Sequence, residues 1–390
     1  MVFALSARAE PKLDPERLEP GALPVVTAST DFGLGVGALA SVARFSSGYE
    51  PYRWRLQLLT FAAGKTDDDG DFAFPYQDHQ LDADFPELVR RLRLVIRARF
   101  TRNSAAPYYG IGNASRDLGS ERRFQHYDRI YPSLQPTLRL ELTPDVFVFG
   151  QVDAGYNALT VHAGSRLALD LDGASGESVR SALRGSADHW LVVATAGAAI
   201  DTRDDETSPT RGIFHEASVR TGQAYGRDES FRGADSNASY YLPIHRDTLV
   251  LAARLMFDVM WGNPPFYLLS RVSGLDSFNA PGGESGVRGV PVGRYAGKLK
   301  VVGNLELRSV LLRPSLGSQR FEIGPVAFLD GGRVWTDIDP QPELDGTGVG
   351  LKYGVGGGVR FRWGKAFLIR IDAARSPDGT GVYFGVNQAF

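Results

Sequence analysis

The side chains best equipped for chemistry fail, group by group, the spacing tests that such chemistry imposes. Ser285 stands in Gly283-Glu284-Ser285-Gly286-Val287. A nucleophile elbow needs Gly-x-Ser-x-Gly, and Val287 occupies the place of the second glycine. The histidines, at 79, 126, 162, 189, 215 and 245, fall at no metal-ligand spacing, and the chain has no Cys to help them. Asp67-Asp68-Asp69-Gly70-Asp71 resembles the start of a calcium loop, but its twelfth place holds Asp78 rather than Glu. That stretch reads better as a solvated outer loop, with weak divalent binding to lipopolysaccharide as the alternative. Gly354 and Gly356 to Gly358 lack the following helix of a phosphate loop. A net charge of -2 leaves no electrostatic footprint for nucleic acid. The expectation is therefore a non-enzyme with no catalytic residue, metal, cofactor or nucleic-acid partner.

What the charges do instead is alternate with apolar residues. In 299–307, Leu299, Val301, Leu305 and Leu307 share one face, while Lys300, Asn304, Glu306 and Arg308 share the other. Leu92, Leu94, Ile96, Ala98 and Phe100 likewise oppose Arg93, Arg97 and Arg99, and Leu255, Phe257, Val259 and Trp261 oppose Arg254 and Asp258. Period two means strands. Many runs reach ten residues or more, long enough to cross an outer membrane at a tilt, whereas sandwich strands are shorter. Trp54, Trp190, Trp261, Trp335 and Trp363 fall near strand ends, where interfacial girdles sit. The 45 Gly, 22 Phe and 15 Tyr suit turns, crowded interiors and strands.

These runs predict an all-β chain: a 16-stranded antiparallel transmembrane β-barrel, from a first strand at 23–31 to a last at 380–390. Connections alternate between short turns, such as Pro86-Glu87-Leu88 and Gly364-Lys365, and long ones at 103–124, 161–187, 262–296 and 336–347. The turn at 201–210 is the exception on the short side. Residues 1–22 read as a truncated signal-like segment and linker, with Ala7-Arg8-Ala9 in the small-x-small form of a cleavage site. A short disordered terminus is the rival. Residues 23–390 form the barrel.

Three ordered motifs then resemble the bacterial surface antigen superfamily, the BamA/TamA-like outer-membrane barrels. Val287-Arg288-Gly289, in the connection between strands 11 and 12, resembles the tip of that family's inward-folding loop. Asn304-Leu305-Glu306-Leu307-Arg308 resembles the strand that follows it, and Phe328, Asp330 and Gly332 match the Phe-x-Asp-x-Gly strand motif. Asp201-Thr202-Arg203-Asp204 with Pro209-Thr210-Arg211-Gly212 resembles the family's periplasmic turn. The resemblance is strong over roughly 200–390. It departs at Val290, where the family usually carries Phe or Tyr, and in the about 22 residues before the first strand, which leave no room for POTRA domains.

The resemblance implies a bacterial outer-membrane protein acting in protein insertion, translocation or lipid handling. Its partners would be outer-membrane lipid and lipopolysaccharide, the barrel assembly machinery during biogenesis, and a client or periplasmic protein. It further implies a tether in which Arg288 pairs with Asp330, Gly286 and Gly289 letting the loop approach the wall. Phe384, Val386 and Phe390, placed on one face of the last strand, resemble a C-terminal assembly signal. The rivals are a passive pore or structural barrel without insertase activity, and a soluble β protein.

Overall fold

The computed structural model describes residues 16–29, 33–49, 51–66, 72–117, 122–227, 229–246, 248–316, 319–363, 367–386 and 388–390. The Asp67 to Asp71 stretch, the Gly364-Lys365 turn and the signal-like start lie outside the described residues. Among the described residues sixteen long strands follow one another: β1 Leu18–Ser29, β2 Gly33–Arg44, β3 Trp54–Thr66, β4 Phe72–Val89, β5 Leu92–Pro107, β6 His126–Thr143, β7 Val146–Thr160 and β8 His189–Asp201, then β9 Gly212–Tyr225, β10 Glu229–His245, β11 Leu249–Gly262, β12 Leu299–Ser309, β13 Gln319–Trp335, β14 Lys352–Trp363, β15 Phe367–Ser376 and β16 Gly379–Val386. Each pairs antiparallel with its sequence neighbours, and β1 pairs with both β2 and β16. The sheet closes on itself as a barrel.

Burial decides which face looks inward. Lys300, Asn304, Glu306 and Arg308 are buried, whereas Leu305 and Leu307 between them are exposed. On β5, Arg93, Arg97 and Arg99 reach Asp84, Asp82 and Asp78 of β4 at 2.6, 3.1 and 2.5 Å. Meanwhile Phe100, Leu134, Leu138, Val219, Leu255, Leu329 and Val382 all show their side chains on the outside. A soluble sheet protein buries its leucines and solvates its charges. Here the order is reversed, and an apolar outer surface of this extent needs hydrocarbon around it. The soluble rival fails on this point. Trp54 and Trp363 lie at the short-turn end, and Trp190, Trp261 and Trp335 at the other, so the aromatic residues mark both rims.

The wall is uneven in height. β4, β5 and β6 have 18, 16 and 18 residues, but β15 and β16 have 10 and 8. At about 3.3 Å per residue and a tilt of about 45°, eight residues rise roughly 19 Å and eighteen roughly 42 Å. β1 and β16 close the seam; among the described residues Ala28 pairs with Phe384 and Ser29 with Tyr383.

Several boundaries differ from the sequence expectation, each for a local reason. The turn expected at Pro86-Glu87-Leu88 lies within β4, and the chain reverses at Arg90 and Arg91, Arg91 having φ 68°. Pro86 donates no ladder bond, and the strand absorbs it as an irregularity between Phe85 and Val89 rather than ending there. β1 begins at Leu18, inside the segment expected to be linker, and β10 begins at Glu229 rather than near 235. The connection from Ser309 to Gln319 is a second long one on the short-turn side. The last strand ends at Val386, so Phe390 does not share its outer face. The Phe390 ring instead sits 4.6 and 4.9 Å from the guanidinium carbons of Arg254 and Arg308, both inner-face residues.

At the other end, four connections lock together into a cap. Gly112 N donates to Ala296 O at 2.7 Å, Ala114 N to Leu344 O at 2.8 Å and Phe266 N to Arg184 O at 2.8 Å. Two short helices, Arg166–Leu171 and Glu177–Ala182, supply Leu167 and Val179 to an apolar cluster with Tyr108, Phe266, Tyr267 and Leu269.

Candidate functional site

Period-two geometry places Asn304, Glu306, Asp330, Arg360, Arg370 and Asp372 on the inner faces of β12 to β15, and register sets them side by side. Asn304 is opposite Asp330, Asp330 is opposite Gly354, and Arg360 is opposite Arg370. These buried polar groups need partners, since an unpaired buried carboxylate is costly. The β11–β12 connection supplies the central one.

Arg288 is 1% exposed, and Glu306, Asp330 and Asp372 are each 0% exposed. Its Nε donates to Asp330 Oδ2 at 2.7 Å and its Nη2 to Asp330 Oδ1 at 2.9 Å, a two-pronged guanidinium–carboxylate match. Nη1 donates to Glu306 Oε1 at 2.6 Å and Asp372 Oδ2 at 3.3 Å. The guanidinium carbon stands 3.4 Å from the centroid of the Phe328 ring, a cation–π contact. Burial works against the Arg288 charge, but the hydrogen bonds to Asp330 and the charges of Glu306, Asp330 and Asp372 outweigh it and hold the group above its ordinary pKa.

The backbone of the connection is held as well. Arg288 N donates to Asp330 Oδ2 at 3.1 Å, and Gly289 N donates to the Tyr383 hydroxyl of β16 at 3.0 Å. Asn304 Nδ2 donates to Gly286 O at 2.7 Å, and Arg254 Nη2 donates to Ser285 O at 2.5 Å. Two glycines make the approach feasible. Gly289 has φ +90°, a conformation that side-chain-bearing residues rarely adopt, and a Cβ on Gly354 would stand 1.9 Å from Arg288 O. A second buried set ties the connection at another point. Lys300 and Arg220 both reach Asp258, at 2.9 and 2.8 Å, and Ser273 N donates to the same carboxylate at 3.2 Å.

The structure thus brings Val287, Arg288, Gly289, Phe328 and Asp330 together. Gly332 lies beside them, where a Cβ would be 3.2 Å from Val287 Cγ2. Val290, in place of an aromatic, packs with Val287, Met256, Val302, Val334 and Tyr295. Phe384 stands apart on the outer face of β16, opposite Ile371, and the Val386 side chain lies outside the described residues. Arg360, Asp372 and Tyr383 were not singled out from sequence, whereas Asn304 and Glu306 stand in the strand motif that follows the loop. Alternation marked Asn304 and Glu306 as one face, but which inward charges meet is set by register between strands far apart in the chain.

A model of the Omp85 superfamily domain matches residues 72–390. Among solved structures, BamA from Haemophilus ducreyi lacking POTRA domains 1-3 aligns with a TM-score of 0.60 at 13% identity, covering 95% of this chain and 70% of that one. CdiB from Acinetobacter baumannii aligns with a TM-score of 0.51 at 13% identity, covering 96% of this chain and 60% of that one. At such identities the likeness is one of fold. No curated protein matches the chain.

Proposed function

The chain belongs to the Omp85 superfamily and is a bacterial outer-membrane β-barrel, and from that premise we propose that it inserts or translocates client polypeptides by weakening the bilayer at the β1–β16 seam. Barrels of this family are transport and insertion proteins rather than enzymes. The observation that carries the proposal is the low wall at the seam: β15 and β16, the two shortest of the sixteen long strands, have 10 and 8 residues. A wall of roughly 19 Å is shorter than the ~30 Å hydrocarbon layer, so lipid beside it must thin or tilt.

The β11–β12 connection is, in this proposal, an inward-folding loop whose Arg288 clamps β12, β13 and β15 into one rigid wall. Yielding is then confined to the seam. The interlocked cap favours this mechanism over a passive pore, because it covers the mouth that a permanently open channel needs. Substrate identity enters through the client and not through any catalytic group.

The test is a reversible lock. Ala28 and Phe384 face each other across the seam, and directly paired strand residues lie within disulfide reach. The natural chain has no Cys, so A28C/F384C forms one defined bridge. Insertion of an unfolded barrel client into liposomes should be lost when the bridge is oxidised and return on reduction. Full activity of the oxidised protein would overturn the proposal, and steady ion conductance in planar bilayers would favour the passive pore.

A further inference from the structure

The outer faces of β13 to β16 are apolar almost throughout, with Leu329, Val355, Val359, Ile371 and Val382 exposed on them. Among the described residues no carboxylate stands on the outer faces of β12 to β16, and two arginines do, Arg333 and Arg375. Arg333 is committed. Its Nη1 donates to the carbonyls of Gly348 and Val349, and its guanidinium carbon stands 4.8 Å from the Trp335 ring centroid.

Arg375 is not committed. It shares its strand face with Ile371 and Ala373, is exposed, and has no hydrogen bond or ion pair among the described residues. Its cross-strand neighbours are Val355 on β14 and Thr380 on β16, with the exposed Tyr353 diagonal to it. Asp378, three residues along, is turned to the interior, where it accepts the hydroxyl of the buried Tyr295 at 2.8 Å.

Height makes the position costly. Trp363, opposite Phe367, marks the lower aromatic rim. Arg375 is eight positions further up β15, which at about 3.3 Å per residue and a tilt of about 45° places it roughly 19 Å above that rim. The apolar band of an outer-membrane barrel is about 25 Å tall, so the outer headgroups of an undisturbed bilayer would begin roughly 6 Å above the Arg375 backbone. A cation facing hydrocarbon is unfavourable, and the guanidinium must reach up to headgroups or bring them down.

We propose that Arg375 holds the phosphate of an anionic outer-leaflet lipid, which thereby sits low against β14 to β16. The guanidinium fork matches phosphate oxygens through two parallel hydrogen bonds. The Thr380 hydroxyl and the Tyr353 phenol flank it as further donors, and Val355, Ala373 and Val382 give the acyl chains an apolar bed. A zwitterionic headgroup brings its own cation and answers the Arg375 charge less well. The lowered lipid adds a partner to the thinning proposed above, while the site itself rests only on the place of the barrel in the membrane.

The probe is phosphatidic acid, with diacylglycerol of the same acyl chains as the phosphate-free control. Native mass spectrometry of the detergent-folded protein, titrated with each lipid, counts the molecules retained. The first phosphatidic acid to bind should be held at least about tenfold more tightly by the natural protein than by R375Q, the loss of a charge-assisted hydrogen bond. Diacylglycerol should not distinguish the two. R375K, which keeps the charge without the fork, should lie between them, and R180Q, which removes a charge from an exposed cap helix, should match the natural protein. Heat resistance on semi-native gels shows that each barrel is intact. Equal retention of phosphatidic acid by the natural protein and folded R375Q would overturn the proposal, as would the same loss in R180Q. Displacement of the lipid by an equal concentration of inorganic phosphate would mark a free-anion site and overturn the lipid assignment. Lipid retention is read without any client, so its failure and that of the insertion mechanism are separate results.

Discussion

Replacing Arg288 by Ala removes the one cation shared by three fully buried carboxylates. The three are not left equally. Glu306 keeps Arg308 at 2.7 Å, and Asp372 keeps Arg360 at 2.6 Å and Arg370 at 3.2 Å. Asp330 keeps the Asn304 amide at 2.8 Å and the backbone amide of residue 288 at 3.1 Å, with no cation in contact among the described residues. The penalty is therefore concentrated on Asp330. Stripping one partner from a buried pair costs about 3–5 kcal/mol, a change of roughly 10² to 10⁴ in the unfolding equilibrium. Asp330→Ala should cost less, about 2–3 kcal/mol, because Arg288 retains Glu306 and Asp372. In the double variant no orphaned carboxylate remains at 330, so its loss should stay close to that of R288A rather than reach the sum. A coupling of about 2 kcal/mol is expected. Urea unfolding in detergent micelles, followed by Trp fluorescence and by heat resistance on semi-native gels, measures all four corners of the cycle. Additivity of the two single losses within about 0.5 kcal/mol would show that the pair is not a coupled tether.

Three further outcomes follow from the same geometry. Gly354→Val should destabilise the fold comparably to R288A, since its Cβ would collide with the Arg288 carbonyl oxygen; a folded variant of unchanged heat resistance would refute the close approach. Leu255→Arg, at a side chain 58% exposed on the outer face of β11, should cost about 2–4 kcal/mol in a bilayer, whereas exposed positions of soluble proteins change by about 0.5 kcal/mol or less. Unfolding titrations in liposomes check the difference, and a neutral result would remove that face from the hydrocarbon. The oxidised A28C/F384C seam should be inactive in client insertion and recover on reduction, as described above.

Alternation of side chains was readable along the chain because it is local: residues such as Leu305 and Glu306 are forced to opposite faces by the pleat alone. The number of strands, their antiparallel order and the sign of the two faces followed from that pattern, from run length and from Trp at strand ends. Val287-Arg288-Gly289 and Phe328, Asp330, Gly332 were also legible, as motifs whose residue types imply a charge pair. Strand ends were less so. Pro86 is a turn former in isolation, yet pairing with β5 resumes beyond it at Val89 and keeps it within a strand. Phe390 completes an alternating pattern on paper, but Arg254 and Arg308 draw the last residues toward the inner face.

Tertiary structure alone decided who meets whom. That Arg288 contacts Glu306 and Asp372 as well as Asp330 depends on the combined register of β12 through β15, an offset that hydrogen-bonded ladders set and sequence spacing does not encode. The same holds for the seam, where Ala28 meets Phe384 only after fourteen other strands have curved round. Sequence determines which side of each strand is apolar, because that is a property of adjacent residues. Closure of the barrel determines which charges share the interior, because that is a property of all sixteen strands at once.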